Sequence, residues 1–572
     1  MILVNFKENH RNVFFNKNIF LTGSCFKGEK LLKDELFFQD LENVENKSQL
    51  EEKLNQYNGF FAFVICLNNS QECLVAVDRV RSIPLFYGSH KENCFISNDA
   101  EWVRQNVGDM NIDPISEQEF LMTGYVTGKD TLFRGVKQLQ AGEFLHISNQ
   151  NNKSQAATIE FQTFRYYKYL HSEPQKIKNK ESYQQDLDLE VSKSIQRLIN
   201  FANGRQIVIP LSAGRDSRLI ALKIKQAGYK NVLCFSYGVK GNFEAETSKK
   251  IAELLNFNWV FTEYTEQLGY KWYNSIDRKN YYLMAFNYTS LPVMQDWAAI
   301  MDMKKRGLID KDAVFTPGHT GDFISGGHIP IQAHLCKKAN IKILVNEIKN
   351  RHYSLIYTNS NFIQFKDNNA HIKTKQQKQF WENRIITLCE INDIKDAYDF
   401  YNITEMWNWQ ERQAKFIVNS ARDYEYWGYD WWFPFWDSDY MLFWQQIPLV
   451  FRKNKLLYNE YVDSLFKKIT GIEDYQEINN FGLKNSRIKN FIFLFKIKSK
   501  FLIKKIAPQK HFIYFIRKYK LKSNTVKQIL GEMGAFSDNF VAKNKKKLPT
   551  VNGLFAIFTI EELKTNLIKK IK

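Results

Sequence analysis

The sequence predicts a two-part fold carrying a basic appendage. An α+β sandwich half spans residues 1–150, a parallel α/β half spans 186–483, and a basic amphipathic stretch fills 484–572. Three observations predict this division. Buried-strand runs recur up to about residue 148. From about residue 186, apolar residues fall at helical spacing and strands then alternate with helices. Charge is also unevenly spread: of a net +19, the segment 484–572 carries 22 basic and 4 acidic side chains, leaving the rest of the chain near neutral.

Composition bounds the answer first. A chain of 572 residues exceeds one ordinary core, so several domains are expected. With 44% hydrophobic and 25% charged residues, it is neither disordered, collagenous nor a small disulfide scaffold. The seven cysteines are scattered, and no pair has C-x-x-C spacing. That excludes a zinc ribbon or thioredoxin-like motif and suits a reducing, cytoplasmic setting. The N-terminus does not read as a signal peptide, and no apolar run of about 18 residues predicts a membrane span.

The elements follow in chain order. Phe60-Phe61-Ala62-Phe63-Val64-Ile65 and Leu74-Val75-Ala76-Val77 read as buried strands. Ile83 to Tyr87 and Phe144 to Ile147 complete the first half. Residues 151–185 are polar and irregular and are expected to form a linker. Leu187, Val191, Ile195, Leu198 and Ile199 then mark a helix. Gln206 to Leu222 begins as a β-branched strand and ends as an apolar helix. Between them lies Ser212-Ala213-Gly214-Arg215-Asp216-Ser217, a loop of small and hydroxyl residues. Small side chains let backbone N–H groups approach a phosphate, and the helix N-terminus adds partial positive charge. A plain capped strand-to-helix turn uses the same residue types.

That loop resembles the S-G-G-x-D-S pyrophosphate loop of ATP pyrophosphatases, with Ala213 for the middle glycine. Val232 to Gly238 is similar to the next strand of that fold. Glu244, Ser248, Ile251, Ala252 and Leu255 resemble the D-E helix of asparagine synthetases, with Phe243 in place of the Asp. Gly318-His319-Thr320-Gly321-Asp322-Phe323-Ile324-Ser325-Gly326-Gly327 resembles G-E-G-x-D-E-x-F-G-G, and Phe433-Pro434-Phe435-Trp436-Asp437 resembles R-x-P-F-L-D. In the first half, Asn58 to Phe63, Asp78 to Tyr87 and Thr131 to Gly142 are similar to segments of the same family's glutaminase domain. The ordered matches cover about residues 58–448.

The chain therefore resembles glutamine-hydrolysing asparagine synthetases. The resemblance implies an Ntn-hydrolase-like (glutaminase type II) sandwich followed by an ATP pyrophosphatase (adenine nucleotide alpha hydrolase-like) domain. It also implies ATP and Mg²⁺. Ser212, Ala213, Gly214, Arg215, Asp216, Ser217, Ser236, Gly238 and Glu244 become nucleotide-side residues, with Asp216 and Asp322 as metal carboxylates. Arg218 is either a phosphate contact or a helix-face residue.

The departures are equally informative. Family glutaminases use an N-terminal Cys as nucleophile. This chain begins Met1-Ile2-Leu3, its first cysteine is Cys25, and the glutamine-binding R-G-P-D segment is missing. The expectation is a degenerate glutaminase domain that seals the synthetase site. His319 replaces the Glu of G-E-G and is either an acid–base group or a hydrogen-bonded core residue. Phe323 removes a second acid. A lysine beyond the P-F-L-D-like segment is expected to assist adenylation. Lys453, Lys455 and Lys484 are the candidates, and Lys484 is preferred.

Seven of the twelve tryptophans fall within residues 401–444, as core or as a sugar-stacking wall. Residues 488–520 combine Phe/Ile and Lys stripes. They suit an anionic membrane surface, a packed lid, or, least favoured, nucleic acid. The expected function is an AMP-forming amide ligase for asparagine or a related amide. It would join ammonia or an amine to a carboxylate, such as a uronic acid of a surface polysaccharide. A non-catalytic ATP-binding scaffold and an RNA-modifying ATP pyrophosphatase are the alternatives.

Overall fold

The computed structural model describes residues 1–8, 13–16, 18–67, 71–150, 158–330, 340–356, 374–391, 393–394, 396–472 and 550–571. Its first half is a four-layer sandwich. The outer layer is two helices, α1 (Glu35–Leu41) and α2 (Lys47–Gln56). They cover a seven-stranded sheet of β2 (Val13–Phe15), β3 (Ile19–Lys27), β4 (Lys30–Lys33), β5 (Tyr57–Leu67), β6 (Glu72–Val77), β10 (Glu143–Gln150) and β11 (Thr158–Arg165). A second sheet follows, of β1 (Ile2–Asn5), β8 (Asn93–Ser97), β7 (Phe86–His90) and β9 (Lys137–Gln138). Helix α3 (Ala100–Val107) closes its far side.

Strand periodicity builds these layers. In β5, Phe61, Phe63 and Ile65 join the core under α1 and α2, while Ala62, Val64 and Cys66 join the core between the sheets. Both faces are buried, which is why the run is apolar without alternation. Strand β11 corrects the expected linker. Ile159 and Phe161 pack between the sheets and Phe164 on the helix side, a period of two that extends the sheet past residue 150.

The second half opens with helix α5 (Lys180–Ala202). Five parallel strands follow, β12 (Ile207–Pro210), β13 (Val232–Gly238), β14 (Asn258–Glu263), β15 (Val314–Phe315) and β16 (Asp430–Trp431). Their spatial order is β14-β13-β12-β15-β16. Helices α6 (Arg215–Gln226) and α7 (Phe243–Leu254) cross between strands. The chain leaves β12 in one direction and returns at β15 on the other side. Loops at the C-terminal ends of such a pair diverge and leave a crevice, where ligands of open parallel sheets bind.

One continuous core spans both halves. Phe60 of β5 meets Trp431, Trp432 and Phe433 at ring distances of 5.1, 4.9 and 5.8 Å, and Phe26 meets Trp432 at 5.6 Å. Trp431 and Trp432 thus form part of the wall between halves, and they and Trp407, Trp409, Trp436 and Trp444 are buried, so these six offer no sugar-stacking face. Polar groups cross the same boundary. Glu119 accepts two bonds from Arg384 at 3.0 Å and one from Tyr353 at 2.9 Å. Lys415 binds Glu411 and the carbonyls of Val126 and Gly128.

The C-terminal helix Val551–Ile571 docks on the body through Leu554, Phe555, Ile557 and Ile560 and through a Glu562–Arg278 pair at 2.6 Å. This part of the basic stretch is therefore a packed element. Residues 488–520 and Lys484 lie outside the described residues. Among the described residues no helix is long and apolar enough to cross a membrane.

Candidate active site

The crevice between β12 and β15 gathers most of the singled-out residues. After β12 the chain turns through Leu211 to Gly214 and enters α6 with Asp216 in its first turn. Ser217 Oγ accepts from the Ser212 N–H at 3.1 Å, and Ser212 Oγ accepts from the Gly214 N–H at 3.1 Å. The Ala213 N–H donates to Glu244 Oε2 at 2.7 Å. These bonds hold the loop closed on itself, so Glu244 organises the loop with its carboxylate. An incoming phosphate would compete with Glu244 for the same donor.

A second loop, Pro317 to Asp322, presses on the start of α6. A Cβ at Gly318 would stand 2.4 Å from the Ser217 nitrogen, and one at Gly321 would stand 2.7 Å from Asp216 Cγ. Only glycine allows this approach. Between them Thr320 has φ 79°, which a β-branched residue rarely adopts. The approach brings Asp216 and Asp322 to one place, and Lys455 joins them. Its Nζ donates to Asp322 Oδ1 at 2.6 Å and lies 3.6 Å from Asp216 Oδ1. Two successive left-handed residues, Asn454 (φ 53°) and Lys455 (φ 61°), aim this side chain. Left-handed backbone at a non-glycine residue costs about 1 kcal/mol or more and clusters at functional sites.

The electrostatics follow from these contacts. Burial pushes the Asp216 carboxyl up, with the Lys455 ammonium opposing. Asp216 Oδ1 is a buried oxygen with no hydrogen-bond partner among the described residues. Asp322 is held below the usual carboxylate range by His328 and then by Lys455. Asn408 Oδ1 accepts from Gln413, so its amide nitrogen donates to His328 Nδ1 at 2.9 Å. That leaves His328 Nε2 as the protonated nitrogen, 3.5 Å from Asp322 Oδ2. Arg351 and His352, on the helix Ile341–His352, and Arg412 flank this side.

Other expected residues take different places. Arg215 is paired with Asp463 by two bonds of 2.9 Å. Arg218 is buried beneath the loop, donates to the Ala213 carbonyl and lies over the Phe466 ring, so it is not a solvated helix-face residue. Ser236 Oγ donates to the Leu211 carbonyl at 2.5 Å and lies 2.6 Å from Ser248 Oγ. Gly238 ends β13 at φ 121°. His319 bonds Ser420 Oγ through Nδ1 at 3.0 Å, and burial holds it below the usual histidine range. Phe323 is fully buried against Tyr169 and Trp436. Of the three candidate lysines, Lys455 is the one placed beside both carboxylates among the described residues. No local motif surrounds Lys455, and the turn geometry is what separates it from the other candidate lysines.

In the sandwich, Cys25 is fully buried, and burial together with Asp40 pushes its thiol well up. Such a thiol is not a nucleophile at neutral pH. Ile2 pairs with Cys94 within β1 and β8.

Comparison with known proteins bears on the first half. Residues 44–158 match the glutamine amidotransferase domain family. No curated protein sequence matches the chain. Two solved structures that align are the allosteric regulatory enzyme of purine biosynthesis and the glutamine phosphoribosylpyrophosphate amidotransferase from B. subtilis complexed with ADP and GMP. The first aligns at 11% identity over 44% of this chain and 62% of its own, with a TM-score of 0.17. The second aligns at 12% identity over 45% and 73%, with a TM-score of 0.17. Residues 44–158 are thus similar to a glutamine amidotransferase domain, and the match begins after Cys25.

Proposed function

We propose that this chain is an ATP-dependent, AMP-forming amide ligase of asparagine-synthetase type. It would activate a carboxylate as an acyl-adenylate for attack by ammonia or an amine. The observation that carries this reading is the convergence of Asp216, Asp322 and Lys455 at the switch point of the parallel sheet, beside the small-residue loop at the start of α6. Two carboxylates close together need a cation, and the ammonium of Lys455 now supplies one. The orphaned Asp216 Oδ1 and the exposed Asp322 fit Mg²⁺, which prefers carboxylate oxygens and would neutralise the pyrophosphate charge.

The chain's own groups divide the work in this reading. The Ala213 and Gly214 N–H groups turn from Glu244 and Ser212 to the pyrophosphate. Lys455, released from the carboxylates, stabilises charge developing at the α-phosphate. Arg351 and Arg412 on the far side of Asp322 suit an anionic acceptor, for which a uronic acid of a surface polysaccharide is one candidate class. The buried Cys25 supports a domain that hydrolyses no glutamine and contributes packing instead.

ATP–pyrophosphate exchange, screened across aspartate, other amino acids and uronic acids, tests this. Exchange with one acceptor class, lost in Asp216→Ala and Asp322→Ala, is expected. An active double variant would sink the reading. One observation favours a second reading, a scaffold that binds ATP without ligation: Glu244 holds a loop N–H, and the second acid is the buried Phe323. Binding of MgATP without exchange for any acceptor is its signature.

A further inference from the structure

Two thiols in the sandwich face each other and belong to no part of the site described above. Cys66 of β5 and Cys73 of β6 are directly opposed in the antiparallel register. The Cys66 N–H donates to the Asn18 carbonyl at 2.6 Å, so its main-chain groups point toward the β3 side. Cys66 and Cys73 therefore form a non-hydrogen-bonded pair. Such pairs have Cα atoms about 4.5 Å apart, inside the range that a disulfide spans. Their sulfurs are 3.1 Å apart, with Cys73 as donor to Cys66. A bridge needs about 2.05 Å, so side-chain rotation alone, with no change of strand pairing, closes the remaining gap.

We propose that Cys66 and Cys73 form a reversible oxidation site that closes to a cross-strand disulfide when the protein meets a peroxide. Cys66 is the more accessible of the two, at 7% exposure against 0% for Cys73. It is also the thiol whose proton is more easily lost, because the Cys73 S–H stabilises its thiolate while the opposite partner is pushed up. The Cys66 thiolate attacks one peroxide oxygen, breaking the O–O bond and giving a sulfenic acid and hydroxide. The Cys73 sulfur then displaces the sulfenic oxygen. The S–S bond forms, the Cys73 proton leaves with that oxygen, and water is released. Two thiols are oxidised by two electrons and one peroxide is reduced to two waters. Cys94 lies in the same layer between the sheets, fully buried, with its thiol pushed up to about 12 by that burial. It is the internal control.

The sequence makes the site easy to read. No Lys or Arg lies between the two cysteines, while Glu72 does. The reduced full-length protein is treated with hydrogen peroxide, alkylated in denaturant and digested. A tryptic peptide two hydrogens lighter is expected. After cleavage at Glu72 its two pieces should stay joined until a reductant is added. Two of the seven thiols should be lost. Cys66→Ser and Cys73→Ser should each abolish closure, and Cys94→Ser should keep it. Wild-type protein that retains all its thiols, that stops at sulfinic acid on Cys66, or that bridges to Cys94 would overturn the assignment without any variant.

Discussion

The turn after β6 and the crevice after β12 are both tight loops at strand ends, and they treat their polar atoms in opposite ways. In the first, Asp78 is fully enclosed and accepts from the N–H groups of Phe61, Val80 and Ser82 and from the Ser82 hydroxyl. Every contact serves the turn. In the second, Thr320 and Lys455 hold left-handed backbone, and an ammonium bridges two carboxylates, 3.6 Å from the Asp216 oxygen. Satisfied polar groups mark architecture. Strain marks a place that something else is meant to complete. In the proposed reading, the amidotransferase-like half serves as support and the chemistry lies with the parallel sheet.

This contrast can be broken or sharpened by substitution. Trp432→Ala removes the ring that Phe26, Phe60 and Phe201 pack against. It should cost about 3–5 kcal/mol in denaturant unfolding and expose both halves together to proteolysis. A small change, with the halves unfolding separately, would show that the sandwich is not structural support. Lys455→Ala should lower ATP–pyrophosphate exchange by about 10²–10³-fold, as for loss of one transition-state donor. Gly321→Ala places a Cβ against Asp216 and should cost about 10²-fold in exchange, the scale of a misplaced catalytic group.

The smallest effect is a pH slope. His352 is buried and held well below the usual histidine range by burial and then by Arg412, Arg351 and His328. As pH falls below about 6.5, the unfolded chain takes up its proton first, so stability is present above that pH and lost below it. The slope from this histidine is at most about 1.4 kcal/mol per pH unit. Urea midpoints compared at pH 7.5 and 5.5 should fall less in His352→Gln.

The local features of the site were legible in the sequence. Strand runs, the Ser212 to Ser217 loop and the two glycines around His319 all fall where adjacent residues determine the outcome. The hidden parts are tertiary. Lys455 reaches the carboxylates because of two left-handed residues, which no spacing announces. Glu244 turns to the loop only when α7 packs beside it. The tryptophan cluster reads as a binding wall until the Phe60 side of the sandwich covers it. Strand β11 looks polar because it sits at a sheet edge, paired on one side only.

The docked C-terminal helix fixes the end of the chain to the body. At its start, the Thr550 N–H bonds the Leu355 carbonyl at 2.8 Å. The helix beyond is then clasped by Arg278 and by a Lys564–Glu117 pair. The end of the chain is thus strapped to both halves, to Glu117 of the first and Arg278 of the second.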